Sequence, residues 1–495
     1  MSHAATAPAS PDIRAPRPNA VVAVLAFAGI VVALMQTLVI PLIPQLPRLL
    51  SASPSDATWA ITATLLASAV ATPVVGRLGD MYGKRRMLLV SLGLLVTGSV
   101  VAALSSSLVP MIAGRTLQGL AAGVIPLGIS IMRDELPADR LGSATAMMSA
   151  SLGVGGALGL PAAAFLAEST DWHMLFWTSA GFGVVAAVLV LSLVPESAVR
   201  SGGRFDLVGA AGLSVALVCL LLAISKGSAW GWGSGLTVGL FAAAVVVLLL
   251  WGWWELRAAR PLVDLRTTAR RQVLLTNLAS AVFGFAMFAM SLVLPTLLQL
   301  PVATGYGLGQ TMLAAGLVLA PSGLVMMVMA PLSARVSRAR GPKVTLMLGA
   351  VVVAAGYGLG VVLMSAVWQL VVVSSLIGAG IGLAYGAMPA LIMGAVPVSE
   401  TAAANSLNTL MRAIGTSISS AVSGGILAGL TVSLGGGVSV PSQDGFRVVL
   451  AIGAGTALLA LVIMAFIPGR RPASAGKGKG RHAAVTTHEK QPSVS

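Results

Sequence analysis

The stretch Gly-Arg-Leu-Gly-Asp-Met-Tyr-Gly-Lys-Arg-Arg, residues 76–86, decides how this chain is interpreted. It places one carboxylate, Asp80, among four cations between two long apolar runs. Similar apolar runs fill most of the chain: 57% of the 495 residues are hydrophobic and 9% are charged, against about 25% charged in a typical soluble domain. No water-soluble fold could bury so much apolar surface, so the composition predicts an all-α integral membrane protein.

The apolar runs also predict how often the chain crosses the membrane. A crossing helix needs about 20 apolar residues, and charged or Pro- and Gly-rich breaks separate fourteen such runs. The predicted spans are residues 20–43, 57–76, 87–106, 108–132, 141–167, 173–194, 206–225, 233–254, 272–298, 309–334, 344–365, 367–394, 402–431 and 446–467.

Lys and Arg are divided unevenly between the two sides of this topology. With the N-terminus in the cytoplasm, inner loops and tails hold 25 of the 30 Lys and Arg residues. Outer loops hold only Arg48, Lys226 and Arg447. Because inner loops of membrane proteins are enriched in Lys and Arg, the distribution predicts a multi-pass protein of the cell membrane with both termini cytoplasmic.

An internal repeat relates the two ends of the chain at an offset of 258 to 260 residues. It links spans 2, 4 and 5 to spans 10, 12 and 13, which predicts six spans, two extra spans and six more. The matches are residues 73–78 with 331–336, Gly83 with Gly341, Leu117, Gly119 and Gly123 with Leu376, Gly378 and Gly382, and Pro137 and Gly155 with Pro397 and Gly415. Parallel repeats that hold substrate between two halves are a plan used by transporters.

The repeat and the polar tails divide the chain into five predicted segments. Two six-helix bundles, 19–198 and 263–468, flank a pair of extra helices at 199–262. Residues 1–18 and the basic stretch 469–495 are predicted to be disordered cytoplasmic tails.

Two motifs resemble those of the major facilitator superfamily. Residues 76–86 resemble its loop motif between spans 2 and 3, and Arg115-Thr-Leu-Gln118-Gly119 resembles its Arg-x-x-Gln-Gly motif in span 4. With the 6+2+6 layout, the chain is similar to the fourteen-span drug:proton antiporter branch. The resemblance implies two pseudo-symmetric bundles and secondary active transport.

The loop motif predicts a cytoplasmic gate. Asp80 lies at a helix end, where it can pair with nearby cations and hold neighbouring helices together until the bundle rocks. The alternative is a purely basic anchor, which would need neither a carboxylate nor paired glycines. The candidate gate residues are Gly76, Asp80, Gly83, Lys84, Arg85 and Arg86.

Arg115 lies about eight residues inside span 4, where an arginine costs at least ~2.5 kcal/mol. It must therefore face a cavity or a partner, and Gln118 and Gly119 share its helix face. The resemblance implies a role in proton coupling for these three residues. The alternative is an arginine held by backbone carbonyls for packing.

Span 5 resembles the antiporter pattern Gly-x-x-x-Gly-Pro-x-x-Gly-Gly, with departures. Gly155 and Gly159 match it, but Pro161 is displaced by one residue and alanines replace the last glycines. Small residues and a proline still predict close packing and a kinked helix.

Proton coupling needs a group that titrates, and span 1 carries Gln36 where the antiporter branch often has a carboxylate. The remaining candidates are Glu168 and Asp56 near outer helix ends, and either can instead be an ordinary interfacial charge.

Polar, aromatic and Met side chains predict a substrate cavity between the halves. Such side chains adapt to bulky lipophilic or cationic molecules, whereas the alternative for each is packing or contact with lipid. The candidates are Gln36, Asn277, Phe285, Met290, Tyr385, Asn405, Asn408 and Arg412.

Together these patterns predict a proton-driven exporter of drug-like or antibiotic molecules, acting as a monomer. Uptake or exchange of a polar or anionic solute is a second hypothesis, for which Arg115 and Arg412 would be the charged site. A membrane sensor is a third. The sequence shows no metal cluster, cofactor motif, nucleotide-binding loop or base-reading motif, so we expect neither enzymatic activity nor nucleic-acid or nucleotide binding.

Overall fold

The computed structural model describes residues 18–39, 42, 46–57, 59–197, 199–433 and 439–468. Within them the chain forms fourteen long helices, which we number α1 to α14. They are α1 Pro18–Thr37, α2 Trp59–Tyr82, α3 Lys84–Ala103, α4 Leu108–Glu135, α5 Ala138–Ser169, α6 His173–Leu193, α7 Leu207–Trp230, α8 Gly235–Arg257, α9 Arg271–Gln299, α10 Met312–Arg340, α11 Pro342–Val362, α12 Val367–Met393, α13 Thr401–Gly429 and α14 Gln443–Ala465. The predicted tails, residues 1–18 and 469–495, lie outside the described part except for Pro18, which begins α1.

Shorter elements join these helices. A 3₁₀ turn, Ala121–Gly123, interrupts α4. The short helices are Leu46–Leu49, Pro54–Ala57, Leu265–Thr268 and the 3₁₀ turns Val302–Thr304 and Val398–Glu400. Strands β1 (Thr431–Ser433) and β2 (Ser439–Pro441) pair antiparallel between α13 and α14.

Thirteen of the fourteen helices are long and apolar enough to cross a membrane. The exception is α13, which carries Asn405, Asn408 and Arg412 and is too polar to qualify by hydropathy. The prediction of an all-α fold built from apolar helices is therefore confirmed.

The predicted boundary of span 2 is wrong. The apolar run stops at residue 76, but α2 continues to Tyr82, so Asp80 lies inside the helix and the predicted loop shrinks to Gly83. Helix persists there because the charges of Asp80 and Lys84 have buried partners, which an apolar-run criterion cannot detect. Gly83 has φ +120° and Gly341, its repeat equivalent, has φ +88°; each is a one-residue turn between two helices.

The helices pack in two matching sets. In the first, α1 contacts α5 and α6, α3 contacts α4 and α6, and α2 contacts α4. In the second, α9 contacts α13 and α14, α11 contacts α12 and α14, and α10 contacts α12. Each helix thus corresponds to one eight places later, which is the shift read from the repeat. The domain boundaries at residues 199 and 263 stay predictions.

Two equivalent contacts join the halves. We call the contact of α2 with α13 the first seam and the contact of α5 with α10 the second seam. Helix α7 packs on α2 and α13, so it covers the first seam, and α8 packs on α7. The extra helix pair is therefore placed against one of the two seams.

Candidate functional site

One end of the helix bundle, which we call the basic end, holds the turn between α2 and α3. Gly83 forms this turn, and a Cβ built on it would lie 2.7 Å from Glu196 Oε1. With its positive φ as well, only glycine fits there without strain. The turn aims Asp80 and Lys84 into the protein, where both side chains are fully buried.

Asp80 joins the two halves of the molecule. Its carboxylate accepts hydrogen bonds from the backbone N–H groups of Ala402 at 3.3 Å and Ala403 at 2.9 Å. These groups open α13, and a helix N-terminus carries a partial positive charge that favours a carboxylate. Asp80 therefore ties the end of α2 to the start of α13.

Lys84 and Arg133 extend this contact. Lys84 Nζ lies 2.6 Å from Asp134 Oδ2 and 3.8 Å from Asp80 Oδ1, so it balances two buried carboxylates. Arg133 donates to Met393 O at 2.9 Å, Val396 O at 3.2 Å and Thr401 Oγ1 at 2.5 Å. It thereby holds the end of α12 and the start of α13. We call Asp80, Lys84, Arg133 and Asp134 the clamp.

The other cations of the motif have different neighbours. The Arg85 N–H donates to Glu196 Oε1 at 3.3 Å, and Arg86 lies 3.9 Å from Glu196 Oε2. Both contacts stay within the first half. Arg77 lines a cavity of about 280 Å³ with Arg260 and Glu400 at the basic end of the first seam. Of the predicted gate cations, only Lys84 enters the clamp.

Gly76 allows the first seam to close. A Cβ built on it would lie 2.7 Å from Ser406 Cβ and 2.9 Å from Ala402 O. Real Cβ atoms do not approach that closely, so any side chain here would force α2 and α13 apart.

Arg115 is buried among neutral groups of the first half. Its guanidinium donates to Gln118 Oε1 at 2.7 Å, Ala60 O at 3.2 Å and Met35 O at 3.3 Å. Gln118 in turn donates to Ser99 Oγ at 2.8 Å. This is the arrangement of the packing alternative, and it links four helices. The coupling role of Arg115 stays a prediction.

The predicted glycines lie at close helix contacts. A Cβ built on Gly119 would meet Thr64 O of α2, and one on Gly155 would lie 2.7 Å from Ile30 O of α1. Gly159 faces Thr37 of α1. Pro161 packs instead on Gly316 at the second seam, and α5 continues through the proline as one helix.

Of the predicted cavity residues, Met290 lines a cavity, which we call the methionine cavity. The cavity has a volume of about 50 Å³ and lies between α5, α9, α10 and α12. Its lining includes Met287, Met290 and Met326. A drug-sized ligand needs about 300–1,000 Å³, so this cavity is too small to hold one in the present conformation.

Tyr385 and Arg412 lie beside this cavity. The Tyr385 hydroxyl is 3.8 Å from Met287 Sδ, and its ring packs edge-on against Phe283. The Arg412 guanidinium lies 5.0 Å over the Tyr385 ring, a cation–π contact. Phe285 is buried on α9. The cluster therefore brings a positive charge and an aromatic ring next to the methionines.

Four predicted polar residues have other positions. Asn408 Nδ2 donates to Asn277 Oδ1 at 3.0 Å, which joins α9 and α13 within one half. Asn405 Nδ2 donates to Thr401 O of its own helix at 2.9 Å. Gln36 is exposed at the end of α1. The structure does not bring these four side chains to the methionine cavity.

Of the two proposed titrating carboxylates, the structure describes the side chain of Asp56. Asp56 is exposed and accepts from Ser53 Oγ at 2.7 Å. The Glu168 side chain lies outside the described part. Sequence reasoning missed Arg133, Asp134 and Glu255. For Arg133 and Asp134, the three consecutive charges at residues 133–135 were the available signal.

These features define a helical membrane transporter fold: two matching halves, a charged clamp across one end and a small cavity between them. The family model of the Major Facilitator Superfamily matches residues 25–420. The chain belongs to the major facilitator superfamily.

Known relatives agree with this placement. An uncharacterised MFS-type transporter of Mycobacterium tuberculosis is 29% identical over 419 residues, which cover 83% of this chain and 59% of the relative. Multidrug resistance protein 3 of Bacillus subtilis is 25% identical over 366 residues, covering 72% of this chain and 69% of the relative. The chain thus spans 59% of the length of the mycobacterial relative.

A solved structure shares the fold. The human organic anion transporter MFSD10 aligns with a TM-score of 0.65 and 16% identity, covering 91% of this chain and all of that chain. At this identity the likeness shows the fold alone.

Proposed function

We propose that this chain is a proton-driven exporter of drug-like or antibiotic molecules, acting as a monomer in the cytoplasmic membrane. In this proposal the basic end and both termini face the cytoplasm. The observation that carries it is the clamp, in which Asp80 and Arg133 find their partners on the opposite half.

The clamp suits a gate that opens and closes. A hydrogen bond to a charged group contributes about 1.5–3 kcal/mol, and Asp80 and Arg133 together make several across the halves. When the two halves separate at the clamp, water and Lys84 replace part of the hydrogen bonding that is lost. The cost of opening then stays small enough for substrate and proton binding to repay it.

The methionine cavity suits lipophilic substrates. Met287, Met290 and Met326 come from α9 and α10, which move with one half, while Gly153 and Gly156 come from α5 of the other. Unbranched thioethers repack around different shapes, so widening of this cavity would admit varied molecules. The name of the Bacillus subtilis relative, multidrug resistance protein 3, supports this substrate class.

Arg115 is assigned the coupling role within this proposal. Its positive charge has neutral partners among the described residues, so no ion pair there cancels its field. A carboxylate or a cationic substrate that enters the first half would respond to that field.

The test is export from cells that produce the chain. Cells loaded with a fluorescent lipophilic cation should lose it faster than cells with empty vector, and an uncoupler should abolish the difference. Everted vesicles should then take up the same dye when the interior is acidified. Equal dye loss with and without the chain, over a panel of cationic and neutral compounds, would reject the export proposal.

Arg412 favours one alternative, which is uptake or exchange of an anionic solute. Its guanidinium lies near the methionine cavity and stacks over the Tyr385 ring. Proteoliposomes that accumulate organic anions but not cations, and lose this activity in Arg412→Gln, would favour the alternative.

A further inference from the structure

Glu255 is buried on a helix that is otherwise exposed. Only Thr237, Ala244 and Glu255 of α8 are buried, and Glu255 is 3% exposed. A carboxylate placed on the one covered face of a peripheral helix is costly unless something neutralises it. Glu255 belongs neither to the clamp nor to the methionine cavity.

Asp206 faces the same place from α7. A Cβ built on Gly209 would touch Asp206 Oδ2 and lie 2.6 Å from Glu255 Oε1, so the two oxygens lie within about 5 Å of each other. Asp206 has its own partners, because its Oδ1 accepts from the Gly209 N–H at 2.8 Å and from Trp254 Nε1 at 3.2 Å. The missing side chain at Gly209 makes room for both carboxyl groups.

Glu255 forms no ion pair within the described residues. Neither of its carboxylate oxygens makes a hydrogen bond of normal geometry, although the N–H groups of Val263 and Leu262 and the Trp251 indole lie close. The nearby cations point elsewhere: Arg257 stacks on the Trp253 ring at 4.0 Å, the Arg260 guanidinium lies against Gly203, and Arg266 donates to Leu256 O at 3.5 Å.

Asp264, in the linker between α8 and α9, does not share the environment of Glu255. Partial burial raises the pKa of Asp264, but hydrogen bonds from Thr267 and Arg266 lower it more, so the pKa ends below its usual range. Asp264 is therefore ionised at neutral pH. Glu255 differs because neither of its carboxylate oxygens accepts a hydrogen bond of normal geometry and a second carboxylate faces it.

Two carboxylates this close in a low-dielectric setting do not both ionise readily. We propose that Glu255 and Asp206 form a proton-binding site, with the proton on Glu255. The site supplies the titrating group that the exporter requires, so its role in transport rests on the proposed function, whereas proton binding itself does not.

The position of the site connects it to the first seam. Leu262 and Val263, beside Glu255, pack in one apolar cluster with Leu407 and Leu410 of α13. Val263 also lines the cavity that contains Arg77 and Glu400. Loss of the proton would place two negative charges behind this linker, and the linker rests against the helix whose N-terminus Asp80 holds.

Infrared spectroscopy of the purified protein tests proton binding without any transport assay. The C=O stretch of a protonated carboxyl group should persist at neutral pH in the unaltered protein and decrease by one carboxyl equivalent in Glu255→Gln. The control is Asp444→Asn, which removes an exposed carboxylate paired with Arg447 at 3.3 Å and should leave the band unchanged.

Asp206→Asn provides a second variant that keeps the helix cap. Without the neighbouring charge, the band should vanish at a lower pH than in the unaltered protein. A neutral-pH spectrum identical in Glu255→Gln and the unaltered protein would overturn the proposal. So would a band that responds to added Na⁺ or Mg²⁺ at constant pH but not to pH.

Dye export separates this proposal from the exporter proposal. If the unaltered chain exports and Glu255→Gln shows a flattened pH profile, the site acts in transport. If the unaltered chain exports and the variant keeps both its pH profile and its spectrum, the site is rejected while export stands. If nothing is exported but the Glu255-dependent band is present, export is rejected while the site stands.

Discussion

The two seams that join the halves are equivalent by the repeat but differ in charge at the basic end. At the first seam, buried Asp80 accepts two backbone N–H bonds from the start of α13. At an offset of 258 residues its equivalent is Arg338, which is exposed and donates to Asp139 O near the start of α5 at 3.2 Å. One architecture therefore carries a carboxylate in one half and a guanidinium in the other.

The helix dipole explains why this difference matters. A helix N-terminus attracts a carboxylate and repels a cation, so Arg338 cannot hold α5 as Asp80 holds α13. The second seam relies on close packing instead: a Cβ built on Gly316 would lie 2.8 Å from Pro161 N, and one on Gly153 would lie 3.0 Å from Met326 Cγ. We infer that the first seam is locked by charge and the second by shape.

The largest expected effect comes from Asp80→Asn. The variant loses the charge that the α13 N-terminus and Lys84 stabilise, and charge-assisted bonds of about 1.5–3 kcal/mol correspond to roughly tenfold or more in the gating equilibrium. The initial rate of dye export should fall at least tenfold at unchanged protein level. Asp444→Asn is the matched control, and a normal rate in Asp80→Asn would remove the clamp from the mechanism.

Gly76→Ala tests whether the first seam also depends on close packing. The new Cβ would meet Ser406 Cβ at 2.7 Å, which typically costs about 1–3 kcal/mol and should open the basic end roughly fivefold more often. The repeat equivalent is Ala334, so Ala334→Gly is the control and should have no such effect.

The measurement for this pair is a spin-label distance across the basic end. Labels at Arg86→Cys and Arg340→Cys, in a Cys219→Ser background, report the separation of the halves. A longer-distance population should grow in Gly76→Ala alone. Identical distance distributions in both variants would show that the first seam tolerates a side chain there.

Arg133→Lys should have a smaller effect, about threefold on export. Lysine keeps the positive charge but lacks the planar fork that reaches Met393 O, Val396 O and Thr401 Oγ1 together. Arg140→Lys is the control, because Arg140 makes one exposed bond to Asn19 at 3.3 Å. Equal export rates in Arg133→Lys and Arg140→Lys would show that a single contact at either position is enough for normal export.

Much of the fold was predictable, because lipid-exposed helices must be apolar along their whole length. The repeat also located the turn glycines 83 and 341, whose positive φ values depend on the local chain alone. Where charge pairs were buried, hydropathy failed: it ended α2 before Asp80, since the partners that make burial possible are 322 residues away in the sequence.

The candidate site was less predictable for the same reason. Residue type showed that Arg115 needed partners, but carbonyls of Ala60 and Met35 cannot be read from side chains. Asn277 and Asn408 satisfy each other across two helices, which no single-helix stripe reveals. Polar residues inside spans show which positions need partners. Only the packing of the helices shows whether such a residue stabilises the fold or lines a transport pathway.

Arg338→Gln should have the smallest effect, less than twofold on export. Its bond to Asp139 O lies in solvent, where such contacts contribute about 0–1 kcal/mol, and it opposes the dipole of α5. The measurement is the same initial export rate, at low and high salt, with Asp80→Asn alongside. A tenfold loss in Arg338→Gln would place a second charged lock on the second seam, and the two seams would then be equal in function despite their opposite charges.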